Sequence, residues 1–310
     1  MAHDPNAPVA ALDCGTNSTR LLIASNDGET LSRQMRITRL GQGVDATHRL
    51  NEEAIQRTLL VLADYKREMD ELGVEEARLV ATSAVRDAEN GQVFLDAATQ
   101  TVGVQAEMIA GLEEGRLSYA GATADLEPNA GDDVAIDIGG GSTEIVLKRG
   151  DSIDAVSLDI GCVRITERFL HSDPPKSHEL ASAGSAIGDA LDQAVKEVPA
   201  LGHLRDPRRL LGLAGTVSTL AMLELGITDY DRSRVHHAVL ARDSVERWAG
   251  ILAQEETSVR RRRRAISPGR EDVIVGGVLV LEAAMRRFGF ATCLVSEADI
   301  LDGLVASLTP

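Results

Sequence analysis

Aromatic side chains are scarce in this chain: Phe, Trp and Tyr make up 3% of 310 residues, with a single tryptophan, Trp248. That argues against a stacking platform for single-stranded nucleic acid and requires an aliphatic core. Basic residues are outnumbered, 32 Lys and Arg against 48 Asp and Glu, for a net charge of −16. Cations neutralise phosphates, so this balance argues against general affinity for nucleic acid or for anionic membranes. A polyanionic ligand would have to be held by a local cluster. The three cysteines, Cys14, Cys162 and Cys293, are far apart and form no C-x-x-C, which suggests neither a disulfide framework nor a zinc site. Reduced thiols and a cytoplasmic location are expected. No apolar run reaches the roughly 18 residues of a membrane span, and M-A-H-D-P-N-A-P has no basic region followed by an apolar stretch. The seven histidines show no H-E-x-x-H spacing, and His236 and His237, being adjacent, would point apart on a regular helix or strand.

Against these absences stands an internal repeat. Val9 to Ile23 reads V-A-A-L-D-C-G-T-N-S-T-R-L-L-I, and Val134 to Leu147 reads V-A-I-D-I-G-G-G-S-T-E-I-V-L. Both are D-x-G-x-x-S-T after an apolar run, with Asp13 aligned on Asp137 and Arg20 on Glu144, 124 residues apart. A strand ending in a carboxylate, a Gly-containing turn and a second strand recur. Backbone amides in such a turn form an anion-binding concavity, Ser and Thr hydroxyls add donors, and a carboxylate can hold the divalent cation that phosphates bring. Tight hairpin turns would also use T-N and G-G. The length and the repeat spacing both suit two domains, divided here into residues 1–126 and 127–310, with D-L-E-P-N-A-G-D-D from Asp125 as the joint.

Periodicity predicts strands at Val9–Asp13, Arg20–Ser25, Leu31–Thr38, Arg78–Ala81 and Gln105–Ile109, with helices over Glu52–Leu72 (Asn51 as N-cap), Gly91–Thr101 and Glu113–Ala122. The second half predicts strands at Ile153–Leu158, Arg209–Leu213 and Thr292–Val295. Its helices fall at Arg164–Leu170, His178–Val195, from Thr216, and at Ser244–Ala253, Asp272–Phe288 and Ile300–Leu308. This is α/β order with mixed sheets.

Other segments suit phosphate chemistry, which needs charge neutralisation, placement of a nucleophile and a group to orient it. Thr82-Ser83-Ala84-Val85-Arg86 follows a strand and opens a helix, where hydroxyls and a helix N-terminus meet an anion or simply cap the helix. Glu113 and Glu114 open a helix after the strand ending at Ile109; neighbours cannot share a face, so at most one would enter a site. Gly212-Leu213-Ala214-Gly215-Thr216 repeats the strand, turn, helix theme. Arg260 to Arg264 is the strong basic run, either a solvated helix face or a landing patch for a long polyanion.

Taken together, D-C-G-T-N-S-T-R from Asp13, R-L-G-Q-G from Arg39, A-T-S-A-V-R-D-A-E-N from Ala81, G-L-E-E-G-R-L-S from Gly111, D-I-G-G-G-S-T-E from Asp137 and G-L-A-G-T from Gly212 resemble the Ppx/GppA phosphatases. That family contains exopolyphosphatases and guanosine pentaphosphate phosphatases on the sugar kinase, actin and Hsp70 fold. The resemblance spans nearly the whole chain. It implies two ribonuclease-H-like α/β domains with the active site in an interdomain cleft. It also implies Glu114 as the base that activates water, Asp137 and Glu144 as ligands of Mg²⁺ (Mn²⁺ being the alternative), and Asp13 as a weaker ligand. The loops Thr16-Asn17-Ser18 and Gly139-Gly140-Gly141-Ser142-Thr143, with Arg86, would hold substrate phosphates. The chain resembles the short form of the family, without added helical domains, which implies a preference for short polymers. Its S-E-A-D-I-L-D-G-L segment lacks the Arg of the L-R-E-G ending common in relatives.

The expected activity is therefore exopolyphosphatase: release of the terminal phosphate of inorganic polyphosphate by metal-assisted attack of water. Guanosine pentaphosphate 5′-phosphohydrolysis and a non-catalytic polyphosphate or alarmone sensor are the alternatives. Expected partners are these polyanions, not nucleic acid or a membrane, and a homodimer is compatible with the sequence.

Overall fold

The computed structural model describes residues 7–309, which form two units. The first comprises the described residues up to Gly121 together with those from Asp299 onward; the second is Ala122–Ala298.

In the first unit the order is β1 (Val9–Cys14), β2 (Ser18–Ala24), β3 (Thr30–Ile37), α1 (Val44–Thr47), α2 (Glu52–Glu71), β4 (Glu76–Ala81), α3 (Ser83–Arg86), α4 (Gly91–Val102), β5 (Ala106–Met108) and α5 (Gly111–Thr123). The sheet runs β3-β2-β1-β4-β5, antiparallel on the β2 and β3 side of β1 and parallel from β1 through β4 to β5. Both faces of β1 are buried, which explains its unbroken apolar run. Ala10, Leu12 and Cys14 join the core formed with Leu62, Tyr65 and Met69 of α2 and Phe94 and Ala98 of α4, while Val9 and Ala11 face Ile300, Leu301 and Leu304. Asn51 caps α2 as expected, its side chain accepting from the Glu53 N–H at 2.8 Å.

Tyr65 is fully buried beneath this sheet, and its hydroxyl donates to the Thr19 carbonyl at 3.0 Å. Tyr65→Phe removes that hydrogen bond while keeping the ring buried. A loss of about 1–2 kcal/mol in urea-unfolding stability is expected; an unchanged midpoint would mean that Thr19 finds another donor.

The second unit holds β6 (Asp133–Ile138), β7 (Thr143–Arg149), β8 (Ser152–Leu158), α6 (Cys162–Phe169), α7 (Ser177–Glu197), β9 (Arg209–Leu213), α8 (Ala214–Leu225) and α9 (Arg232–Val235). It continues with β10 (Val239–Ala241), α10 (Arg242–Gln254), α11 (Thr257–Arg260), α12 (Ile274–Arg287) and β11 (Thr292–Val295). Its sheet order, β8-β7-β6-β9-β11 with β10 added at the edge, reproduces the order of the first unit. Each unit thus has the ribonuclease-H-like α/β topology of actin-like proteins, and the sequence repeat is the β1–β2 hairpin of one and the β6–β7 hairpin of the other.

One boundary differs from expectation. The closing helix α13 (Ile300–Ala306), assigned from sequence to the second domain, belongs to the first unit. Its apolar face completes the core over β1 and β2, and it meets α5 backbone to backbone. A Cβ on Gly121 would lie 2.0 Å from the Asp299 carbonyl oxygen, and one on Gly303 would lie 2.1 Å from that of Leu117. The divide likewise falls in the last turn of α5, after Gly121, a few residues before the expected joint. Among the described residues no helix is long and apolar enough to cross a membrane. The three cysteines are buried and unpaired. Burial pushes the Cys162 thiol up to about 11 and that of Cys293 to about 12, which keeps both protonated and unreactive.

Candidate active site

The β6–β7 hairpin places Asp137 directly opposite Glu144 in an antiparallel pair, and both are buried. Opposed residues of such a pair project from the same sheet face a few ångströms apart. Ser157 on β8 donates to Glu144 Oε1 at 2.7 Å, fixing one carboxylate oxygen. Two buried carboxylates side by side repel unless a proton or a cation joins them, and an all-oxygen donor set suits Mg²⁺ or Mn²⁺. These residues therefore fit a divalent ion.

The turn joining the two strands is built to expose amides. Gly139 O accepts from Cys162 N–H at 2.9 Å, Gly140 O from Val163 N–H at 2.8 Å, and Gly141 O from Gly161 N–H at 3.1 Å and Arg164 Nε at 2.7 Å. All three carbonyls are thus turned toward the start of α6. In a trans peptide the N–H lies opposite its C=O, so the amides of Gly140, Gly141 and Ser142 face the other way, where an anion would sit. Ser142 is buried in this turn, and the fully buried Thr143 hydroxyl donates to Ile160 O at 2.9 Å, so that side chain holds the loop in place.

The first unit carries the companion turn with altered charge. Asp13 opposes Arg20, which donates from Nε at 2.9 Å and pairs through Nη2 at 2.7 Å. Arg20 also pairs with Asp299. Burial raises the Asp13 pKa, against the pull of Arg20 in the other direction. With arginine where the second copy has Glu144, this carboxylate is neutralised from within, which argues against Asp13 as a metal ligand. Thr16 and Asn17 are buried, unusual for an ordinary hairpin tip, because the R-L-G-Q-G segment folds over them. Thr38 and Arg39 N–H donate to Asn17 O at 3.1 and 3.0 Å, and Gly41 N–H donates to Thr16 O at 2.9 Å. The Asn17 Nδ2 group is buried without a hydrogen-bond partner. Such a donor is costly unless a ligand supplies its acceptor. Ser18 lies half-buried at the start of β2.

Glu113 and Glu114 separate as their adjacency requires. Glu113 is exposed and faces Arg78 at 3.6 Å, whereas Glu114 is largely shielded and accepts from Arg86 Nη1 at 3.1 Å. The same nitrogen donates to Ile109 O at 3.0 Å, so Arg86 is aimed from α3 at the first turn of α5. The structure thus brings Arg86 to Glu114.

A residue not marked from sequence lies at the third turn. Ala214 opens α8 with a φ of +66°, and the guanidinium of Arg270 occupies the space a Cβ on Gly215 would fill. A cation at a helix N-terminus has the wrong sign for that end of the dipole, and it adds its charge to the amides there for any anion bound at that end. Neither spacing nor periodicity marks Arg270; it comes from a loop 55 residues downstream. The run Arg260 to Arg264, by contrast, is not one uniform solvated face. Arg260 is buried and donates to Glu271 O, Leu252 O and Glu255 O at 2.7, 2.9 and 2.6 Å. Arg261 pairs with Glu271, Arg263 with Glu255 over the Trp248 ring, and Arg264 with Asp229.

The model of the Ppx/GppA phosphatase family matches residues 22–310. The chain belongs to the Ppx/GppA phosphatase family. It is similar to Exopolyphosphatase 2 of Mycobacterium tuberculosis, 42% identical over 97% of this chain and 98% of the relative. Among solved structures, an exopolyphosphatase-like protein matches with a TM-score of 0.92 at 34% identity, over 97% of this chain and 98% of that one. A Ppx/GppA family member from Aquifex aeolicus matches with a TM-score of 0.79 at 34% identity, over 97% of each chain. The guanosine-5′-triphosphate,3′-diphosphate pyrophosphatase of Photobacterium profundum is 31% identical over 73% of this chain but only 45% of its own length. Membership in the Ppx/GppA family agrees with the two actin-like sheets described above.

Proposed function

We propose that this protein is an exopolyphosphatase that removes the terminal phosphate of inorganic polyphosphate by direct attack of water. The observation that carries this reading is the opposed pair Asp137 and Glu144 beside a turn whose amides face away from α6. Glu114 accepts a proton from water as the water oxygen bonds to the terminal phosphorus; the P–O anhydride bond breaks, giving inorganic phosphate and a polymer one unit shorter. Arg86, the Asn17 amide and the amides of Gly140, Gly141 and Ser142 offset the charge gathering on the transferred group. Asp137 and Glu144 would hold Mg²⁺, whose charge lowers the cost of bringing phosphate to an acidic chain. Arg270 adds a further cation at the start of α8. Since Arg260 is buried and Arg261, Arg263 and Arg264 each pair with an acid, the run is a poor track for a long polymer, and we assign short chains as the preferred substrate.

The test is phosphate release in Mg²⁺ from short polyphosphate, long polyphosphate and guanosine pentaphosphate. The Photobacterium relative makes the last substrate the competing one. Release from polyphosphate, abolished by EDTA and greatest for short chains, is expected; binding without release from any of them would favour a sensor. Arg86→Ala is expected to lower kcat/KM about tenfold or more, with effects on both KM and kcat, because a charge-assisted contact to phosphate is lost. Unchanged kinetics would make Arg86 purely structural.

A further inference from the structure

His236 and His237 do not point apart. His237 has a φ of +62°, the left-handed conformation that bulky residues seldom adopt, and this folds its ring onto its neighbour. The two rings stack with centroids 3.8 Å apart. Asp125, just after α5, reaches both: its Oδ2 lies 2.8 Å from His236 Nε2 and its Oδ1 lies 3.6 Å from His237 Nε2. The three side chains form a cluster of metal-ligating groups, all within the second unit.

The two imidazoles differ in what their nitrogens are doing. The Glu297 N–H donates to His236 Nδ1 at 3.0 Å, so the proton of neutral His236 sits on Nε2 and is given to Asp125. His237 Nε2, in contrast, is buried without a hydrogen-bond partner. No donor or acceptor among the described residues holds that nitrogen, which faces the Asp125 carboxylate. The separation of 3.6 Å from Asp125 Oδ1 is less than two Zn–ligand bonds end to end, about 4.1 Å, so one ion spans the pair at a bent angle. Asp125 is half exposed, leaving an entry path and room for water to complete the shell.

We propose that Asp125 and His237 bind one late first-row transition ion, of the Zn²⁺ or Co²⁺ class, with His236 as the positioning residue that fixes the carboxylate. An imidazole–carboxylate donor set favours such ions over Mg²⁺, and a ligating carboxylate whose other oxygen is held by a neighbouring imidazole N–H is the arrangement expected of a working site. The cluster lies beyond the carboxyl end of β11, anchored by His237 N–H to Val295 O at 2.8 Å. That is the sheet edge that also carries the Gly139–Thr143 turn, two strands across, or about 10 Å at usual strand spacing. The ion would be separate from the one assigned to Asp137 and Glu144.

Co²⁺ titration of the full chain, followed by its visible absorption in excess Mg²⁺ to occupy oxygen-only sites, tests this independently of phosphatase activity. Saturation at one Co²⁺ per chain, displaced by Zn²⁺, is expected. Asp125→Asn and His237→Asn should each weaken binding at least about tenfold; Asn tolerates the left-handed backbone at 237, and circular dichroism verifies folding. His236→Gln should weaken binding about tenfold while leaving the Co²⁺ band positions unchanged, since the ligands themselves remain. Asp137→Asn should leave this binding intact. Absence of saturable binding, loss of binding in Asp137→Asn, or affinities within about twofold of the intact chain in both Asp125→Asn and His237→Asn would overturn the proposal.

Discussion

Glu114→Gln is expected to lower kcat on polyphosphate by about a hundredfold or more while leaving substrate affinity largely intact. Gln keeps the size of the side chain and an oxygen that can accept from Arg86 Nη1, now 3.1 Å from the carboxylate. What it loses is the ability to take a proton from water. Glu113→Gln is the matched control: that side chain is exposed, faces Arg78 and should change kcat little. Single-turnover phosphate release beside equilibrium binding separates the two effects. Near-normal turnover in Glu114→Gln would remove it from the reaction, and a large loss in Glu113→Gln would assign the base to the wrong neighbour.

The pairing that supports this chemistry was legible because strands obey a simple register. Asp13 aligned on Asp137 and Arg20 on Glu144 from sequence alone, and the structure places Asp13 opposite Arg20 and Asp137 opposite Glu144, each across its own hairpin. Local signals of the same kind, such as Asn51 before the amphipathic run of α2, also fixed their elements correctly. Features set by distant contacts were not legible. Helix α13 carries an apolar face that would suit either unit, and its packing on β1 and β2 with its close approach to α5 through Gly121 and Gly303 assigns it to the first. Periodicity also could not foresee the left-handed turn that stacks His236 on His237. Nor could composition reveal that Arg260 is buried among carbonyls rather than displayed to solvent. Arg270 reached Gly215 through a loop whose path no local signal specifies.

Gly161→Ala is expected to disable the phosphate turn from outside it. Gly161 is the N-cap of α6 with a φ of −77°, so an alanine meets no backbone strain there. It meets no space either: its Cβ would lie 2.2 Å from Gly140 O, 2.3 Å from Gly140 C and 2.5 Å from Gly141 C. These are backbone atoms, so the overlap cannot be relieved by rotating a side chain, and the turn itself must move. Such overpacking costs about 1–3 kcal/mol, and displacing the amides by about an ångström costs on the order of a hundredfold in kcat/KM. Gly184→Ala provides the contrast. It is an exposed glycine within α7 with nothing within 4 Å of its new Cβ, and helix propensity predicts a gain of about 0.5–1 kcal/mol with unchanged activity. Thermal unfolding and kcat/KM measured on both variants decide the role of the turn. If Gly161→Ala loses stability but keeps its activity, the turn moves without consequence for phosphate, and Gly139 to Thr143 serve the fold rather than the substrate.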